Sequence, residues 1–299
     1  MSTESAERIR KSLEGVDQIP SLPVAIAPLI RYLEQPLDQL EVQRVVELIS
    51  QDKSLAAQCV HLANSPLFGR WQTVDSIRGA VMALGMQRMR DITFSCGVLK
   101  ISPQQQGSVP PTIFWEHSLA CALVSQRFAS RIGFGDPGKA YLAGLLHDIG
   151  IIVNLWLIPR EFGECLQVAR DRGIPLHESE LEILGFSHSD TGSMLGKKWD
   201  LPQEVKDVIE FHHNVAAADS SGSLLALVAL SDLLCRMGGI GHGIVEEREV
   251  DLQDQPGFAI LLRDCPTLND FDWARLTFEL DGYLDEVRRL VSLLYRRDG

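Results

Sequence analysis

Apolar residues recur at helical spacing along most of the chain. Four such segments stand in the first hundred residues: LPVAIAPLIRYLEQ, EVQRVVELIS, LAAQCVHLA and IRGAVMALG. A period near 3.6 residues is typical of amphipathic helices, whereas alternating β-branched runs bounded by turns are scarce. Pro23 near a helix start, Asn64-Ser65-Pro66 as a stop and Gly85 as a C-terminal cap agree with this pattern. The sequence therefore predicts an all-α protein.

The clearest break in the pattern is SPQQQGSVPP, residues Ser102 to Pro111, which has no apolar periodicity. It predicts two lobes, residues 1–105 and residues 106–299. Within the second lobe, GGIGHGIVEEREVDLQDQPG indicates an irregular connector, and an amphipathic helix is expected from about Phe271 to Arg297. We expect the first lobe to serve as a docking surface, because its inward faces are apolar.

One segment, Ala140 to Pro159, is apolar enough to suggest a membrane span. It carries His147, Asp148 and Asn154 near its centre, and a true span needs about 20 residues with few polar groups. The segment therefore predicts a helix buried on all sides in a globular core.

Composition narrows the class of protein. The chain has 299 residues, a net charge of −12 and a pI of about 5.1, which disfavours broad binding to nucleic acid. Six widely spaced cysteines without a CxxC motif are expected to be small buried hydrophobes. The first residues, MSTESAERIRKSLEG, lack the apolar core of a signal peptide, so the cytoplasm is the expected location, without a membrane partner.

Candidate chemistry is concentrated in the second lobe. Seven residues of the types that bind metal ions lie there: His117, His147, Asp148, His188, His212, His213 and Asp232. Several stand in apolar stretches, where a lone polar group is costly to bury. Imidazoles and carboxylates converging in one dry pocket are what a two-metal phosphohydrolase needs.

Each residue alone also has a structural explanation. His117 could be a core histidine, Asp148 could pair with a buried arginine, and His212-His213 could complement a helix dipole. Two buried aspartates and five histidines in one lobe favour a shared site over separate accidents. The other histidines, His61, His177 and His242, are expected to be solvated or capping residues and not ligands.

The order H…HD…H…HH…D resembles the HD superfamily of metal-dependent phosphohydrolases. The whole chain more closely resembles HDOD domain proteins, which are bacterial signalling output modules. The resemblance covers about Ile19 to Gly238. Its motifs are IPSLPVAI, ISQDKSLAAQCVHLANSPLFG, SIRGAVMALGMQRMRDI, FWEHS, AGLLHDIGIIV, ESELEILGFSHSDTG and WDLPQEVKDVIEFHH.

The resemblance implies a two-lobed helical architecture with a metal-binding HD lobe. It implies one ion held by His117, His147, Asp148 and Asp232, and a second held by Asp148, His188, His212 and His213. His147 and Asp148 would be the catalytic pair, and the cofactor would be two divalent ions of iron, manganese, nickel or zinc.

The sequence departs in three places from active phosphohydrolases of the HD superfamily, and all three concern catalysis. Ile151 stands where those relatives place a lysine that contacts phosphate, and Ile113 stands where some place a glutamate. No Gly-Tyr-Pro loop follows His213. The expected role is thus a signalling output or scaffold protein whose partners are signalling proteins or a nucleotide ligand. The alternatives are an active phosphohydrolase on a nucleotide or cyclic dinucleotide, and a purely structural metal site.

Overall fold

A computed structural model describes residues 32, 35, 37–68, 73–99, 111–218, 222–247 and 250–295. The described residues form α-helices, short 3-10 helices and turns, and no strand occurs among them. The prediction of an all-α fold is confirmed. Most of the predicted helix at residues 22–35 lies outside the part of the chain that the structure describes, as do the linker at residues 102–110 and the predicted lobe boundary at residues 105–106.

The described residues divide into two compact units. The first unit comprises those between Pro20 and Ser102 together with those from Tyr283 onward, and the second comprises those between Pro103 and Gly282. The described residues of the C-terminal helix from Tyr283 onward group with the first unit. The division into residues 1–105 and residues 106–299 stays a prediction.

Four α-helices lie wholly within the described part of the first unit: α1 (Val42–Ser50), α2 (Lys53–Ala63), α3 (Ile77–Leu84) and α4 (Met86–Leu99). The side chain of Asp52 caps α2 by accepting a hydrogen bond from the Leu55 amide at 3.0 Å. Helix α3 ends at Gly85, whose φ of 83° favours glycine, so the predicted C-terminal cap is confirmed. Apolar side chains such as Leu55 and Met89 are fully buried between these helices.

Ten helices build the rest of the described chain. They are α5 (Pro111–Ile132), α6 (Pro137–Leu146), α7 (Ile149–Leu157), α8 (Pro159–Arg172), α9 (Leu176–Leu184), α10 (His188–Lys198), α11 (Gln203–Phe211), α12 (Ser223–Met237), α13 (Pro256–Asp264) and α14 (Trp273–Tyr295). The expected C-terminal helix corresponds to α14. All six cysteines of the chain are buried, as predicted.

The apolar segment predicted as one buried helix is two helices. Residues Pro137–Leu157 have the length and composition of a membrane span, and they are mostly buried inside the unit. The helical path breaks between α6 and α7, where Asp148 adopts φ −101° and ψ 15°. In a continuous helix, neighbouring side chains diverge by about 100°. The break allows His147 and Asp148 to turn toward the same point.

Two glycines let the backbones beside this break approach closely. A Cβ added at Gly150 would lie 1.8 Å from the carbonyl oxygen of His188 and 2.6 Å from the amide nitrogen of Gly192. A Cβ added at Gly144 would lie 2.9 Å from the carbonyl oxygen of Cys121. Real side chains do not approach this closely. Helix α7 can therefore pack against the start of α10 only with glycine at position 150.

Candidate metal centre

The structure brings all seven candidate residues together from five parts of the second unit. His117 lies in the middle of α5, His147 and Asp148 form the α6–α7 break, His188 begins α10, His212 and His213 follow α11, and Asp232 lies in α12. Six of the seven side chains are buried, and His213 is half-buried. Residues separated by more than a hundred positions thus share one polar centre inside an apolar unit.

Asp148 lies at the middle of this centre, and one of its oxygens faces a first group of imidazoles. Its Oδ1 atom lies 3.0 Å from Nε2 of His188 and 3.2 Å from Nε2 of His212. Nε2 of His213 lies 3.0 Å from Nε2 of His188. One ligand atom from each of these four residues fits within a cluster small enough to surround an ion.

The other oxygen of Asp148 faces a second group. Its Oδ2 atom lies 3.4 Å from Nε2 of His117 and 3.2 Å from Nε2 of His147. Oδ1 of Asp232 lies 3.1 Å from the same His117 nitrogen and 3.9 Å from that of His147. Ligands bound about 2.1 Å from an ion lie about 3 Å from one another, so these separations match a coordination shell.

Backbone carbonyls orient three of the rings. Nδ1 of His117 donates to the carbonyl oxygen of Ile240 at 2.6 Å, and Nδ1 of His147 donates to that of Gly144 at 2.8 Å. Nδ1 of His212 donates to the carbonyl oxygen of Val208 at 3.0 Å. A carbonyl can only accept, so the proton of each neutral ring stays on Nδ1. In its neutral form each ring therefore presents its Nε2 lone pair to the centre, as metal-binding histidines require.

A buried carboxylate orients the fourth ring. Oε2 of Glu180 accepts a hydrogen bond from Nδ1 of His188 at 2.6 Å and another from the His188 backbone amide at 2.9 Å. Nδ2 of Asn154 donates to the other Glu180 oxygen at 3.1 Å. Glu180 is fully buried in α9. Sequence reasoning did not identify it, although a glutamate on the inward face of an apolar helix is a usable signal.

Asp232 has the arginine partner that was considered for Asp148. Nε of Arg236, one helical turn along α12, lies 3.1 Å from both carboxylate oxygens of Asp232. A second nitrogen of Arg236 donates to Glu246 at 2.5 Å. Burial raises the pKa of Asp232, but Arg236 and His117 outweigh burial and hold that pKa well below its usual value. The charge of Asp232 is therefore partly compensated within the protein.

Among the described residues that contact Asp148, only histidines compensate its negative charge. Burial raises the pKa of its carboxyl group, but His147 and His188 outweigh burial and hold that pKa well below its usual value. Burial lowers the pKa of both histidines. For His147 the neighbouring Asp148 reverses this, and for His188 Glu180 does so before Asp148, so both pKa values end well above the usual one.

His212 and His213, which share the first group with His188, differ from it in charge. Burial lowers the pKa of His212, and burial together with His212 and His177 lowers the pKa of His213 well below its usual value. Both rings are thus neutral at neutral pH, which is the form that binds metal.

Several polar atoms in the centre are buried without a hydrogen bond. They include Oδ1 of Asp148 and Nε2 of His212 and of His242. Leaving such atoms unsatisfied costs about 1–3 kcal/mol each, more for charged groups. Cations bound among them would satisfy these atoms. The donor set, imidazole nitrogens and carboxylate oxygens, suits a divalent transition metal.

The prediction that His242 is solvated or capping is wrong. His242 is only 8% exposed, and its Nε2 atom lies 3.1 Å from Oδ2 of Asp148. Its glycine-rich surroundings carry no helical pattern, so the sequence did not show that this segment folds back onto α5. His61 is exposed, as expected, and His177 is half-buried, with its ring stacked on His213 at a centroid distance of 3.9 Å.

A cavity of about 540 Å³ opens beside the centre and reaches His177, His212 and His213. Its lining carries four carboxylates, on Glu178, Glu246, Asp251 and Asp254. Arg236 is the one lysine or arginine in the described lining, and it already contacts Asp232 and Glu246. The approach to the centre is therefore acidic.

Known proteins resemble this chain in sequence and fold. The family model described as HDOD domain matches residues 19–215. The crystal structure of an HDOD domain protein with unknown function from Geobacter sulfurreducens is 30% identical with a TM-score of 0.83, over 98% of this chain and 99% of that one. The crystal structure of a Shewanella amazonensis SB2B protein named "Putative phosphohydrolase" is 24% identical with a TM-score of 0.70, over 94% and 97%.

A curated relative is longer than this chain. An uncharacterized protein of Treponema pallidum (strain Nichols) is 26% identical over 243 residues, which cover 79% of this chain. The match covers 46% of that relative, so the chain spans about half the length of the curated protein it matches.

Proposed function

Because the chain belongs to the HDOD family, we propose that it is an output or scaffold protein of bacterial signal transduction that binds two divalent transition-metal ions. One observation supports the proposed binding of two ions. The two oxygens of Asp148 face different groups of imidazoles, with Oδ2 near His117 and His147 and Oδ1 near His188 and His212. Asp148 would therefore contribute one oxygen to the ligands of each ion.

The ligands divide accordingly between the two ions. The first ion takes His117, His147, Asp148 and Asp232, and the second takes Asp148, His188, His212 and His213. When bound, such a pair of ions activates water and neutralises charge on phosphoryl oxygens. The protein orients the rings through Ile240, Gly144, Val208 and Glu180, and it excludes water by burying the centre.

The cytoplasm is the proposed location, and the proposed partners are signalling proteins or a nucleotide ligand. The centre joins five separate parts of the chain, from α5 to α12, so ion binding there would tie the whole second unit together. A change in metal occupancy would alter that unit as a whole.

An active phosphohydrolase is the second candidate, because every residue of the seven-member set is present and converges. Two features argue for weak catalysis. The cavity beside the centre carries four carboxylates, which repel an anionic phosphodiester. Ile151 is only 2% exposed and offers no cationic contact to phosphate. Loss of one such contact costs about 10²- to 10³-fold in rate.

Metal analysis combined with a turnover assay tests the proposal. The full chain is stripped with chelator and reloaded with manganese, iron or zinc. Ions per chain are then counted by mass spectrometry, and hydrolysis of bis(p-nitrophenyl) phosphate and of a cyclic dinucleotide is followed. Asp148→Asn removes the bridging charge at constant size. Asp171→Asn, an exposed position on α8 in the same unit, is the matched control.

We expect about two ions per chain in the wild type and in Asp171→Asn, with fewer in Asp148→Asn, and little or no turnover by any of them. Robust turnover that disappears in Asp148→Asn would promote the phosphohydrolase. Wild-type protein that retains no metal at all after reloading would refute both candidates.

A further inference from the structure

The loop from Gly238 to Val245, which follows α12, has an unusual backbone. Gly239 and Gly243 have φ angles of 76° and 70°, which glycine adopts readily. His242 between them has a φ of 55°. A residue other than glycine is strained in this left-handed region, so the surrounding structure must hold His242 there.

Two contacts fix the loop against the centre. The carbonyl oxygen of Ile240 accepts the hydrogen bond from Nδ1 of His117 at 2.6 Å. A guanidinium nitrogen of Arg170, on α8, donates to the carbonyl oxygen of His242 at 3.4 Å. The loop therefore orients one candidate ligand through its backbone while its own histidine is held in place.

The ring of His242 reaches the same oxygen as two of those ligands. Its Nε2 atom lies 3.1 Å from Oδ2 of Asp148, compared with 3.4 Å for His117 and 3.2 Å for His147. The centroid of its ring lies 4.4 Å from that of His117. Despite the short distance, Nε2 of His242 makes no hydrogen bond. This nitrogen is buried and points at a carboxylate oxygen without hydrogen-bond geometry. Such an arrangement is expected of two atoms that bind the same ion.

We propose that His242 is an additional ligand of the first ion, beside His117, His147, Asp148 and Asp232. This inference rests on the proposed metal-binding function and extends it to the glycine-rich loop. The first ion then has three imidazoles and two carboxylates, whereas the second has three imidazoles and the shared carboxylate. The loop is accordingly part of the centre and not a passive connector.

Substitution of His242 by glycine tests this role without adding strain, because glycine accepts the positive φ. Asp200→Gly is the matched control, since Asp200 is the other non-glycine residue with positive φ, at 54°, among the described residues. Asp200 is exposed. Full-length chains are stripped of metal and titrated with cobalt(II). The readouts are the number of ions bound, their dissociation constants and the visible absorption bands, which report the ligands of the ion.

In His242→Gly we expect one of the two ions to bind at least about 100-fold more weakly, while the other keeps its affinity. Added imidazole should occupy the vacated space and restore the binding and the absorption bands. Asp200→Gly should bind both ions like the wild type. Rescue by imidazole separates a ligand from a residue that only packs.

Three results would overturn the inference. If His242→Gly binds both ions with wild-type affinity, His242 is not a ligand, although the metal centre itself stands. If it loses both ions and imidazole restores neither, His242 acts on folding and not on one ion. If the wild type binds no cobalt, the proposed metal function fails together with this inference.

Discussion

Gly150→Ala is expected to remove the second ion while the fold survives. A Cβ at position 150 would lie 1.8 Å from the carbonyl oxygen of His188, and real Cβ contacts below 3.0 Å essentially never occur. Helix α10 would therefore have to move away from α7 by about 1 Å or more. His188 opens α10, and its Nε2 atom lies 3.0 Å from Asp148.

The size of this movement decides the outcome. Metal–ligand distances tolerate deviations of only about 0.2 Å, so a shift of about 1 Å breaks the bond from His188 to the second ion. Overpacking of this kind costs about 1–3 kcal/mol of folding stability. The better helix propensity of alanine offsets up to about 1 kcal/mol of that cost. His117 and Asp232 do not depend on α10, so the first ion should remain.

Urea denaturation and metal counting on the full chain measure both effects. Gly163→Ala is the matched control, because Gly163 lies within α8 and an added Cβ would meet nothing within 4 Å. It should gain about 0.5–1 kcal/mol and keep both ions. If Gly150→Ala binds two ions with wild-type affinity, the argument from the α7–α10 contact is refuted.

Four further outcomes are expected. Chelation should lower the melting temperature of the wild type but not of Asp148→Ala, because each site filled to 100 times its dissociation constant adds about 2.7 kcal/mol; equal melting after verified metal loss would contradict this. Glu180→Gln should weaken binding of the second ion by about 10- to 100-fold, measured by cobalt titration, because His188 loses its carboxylate partner. Burial lowers the pKa of His242 to about 4, so the unfolded metal-free chain takes up this proton first and the contribution of His242 to stability falls between pH 6.5 and pH 4. His242→Gly lacks this contribution. Between pH 6.5 and pH 4 its free energy of unfolding, measured by urea denaturation at both pH values, should fall by up to about 3 kcal/mol less than that of the wild type. Ile151→Lys should lower the melting temperature by burying an ammonium group, and a gain in phosphodiester turnover without that loss would refute this reasoning.

The sequence by itself determined the fold class and the ends of several helices. Apolar periodicity and punctuation are local properties, so the ends of α2 and α3 at Asn64 and Gly85 could be predicted from neighbouring residues alone. The seven-residue set was also visible, because a carboxylate in an apolar stretch such as LLHDIGII is costly wherever the chain takes it.

Only the tertiary structure decided how those residues divide and which others join them. The break that turns His147 and Asp148 to one point has no local signal, since the apolar segment continues through it. Glu180 meets His188 because α9 packs beside α10, and Asp232 meets His117 because α12 packs beside α5. His242 enters the centre from a loop more than a hundred residues after His117. Such contacts depend on which helices and loops pack against each other, and the pattern of residues along the chain does not show this.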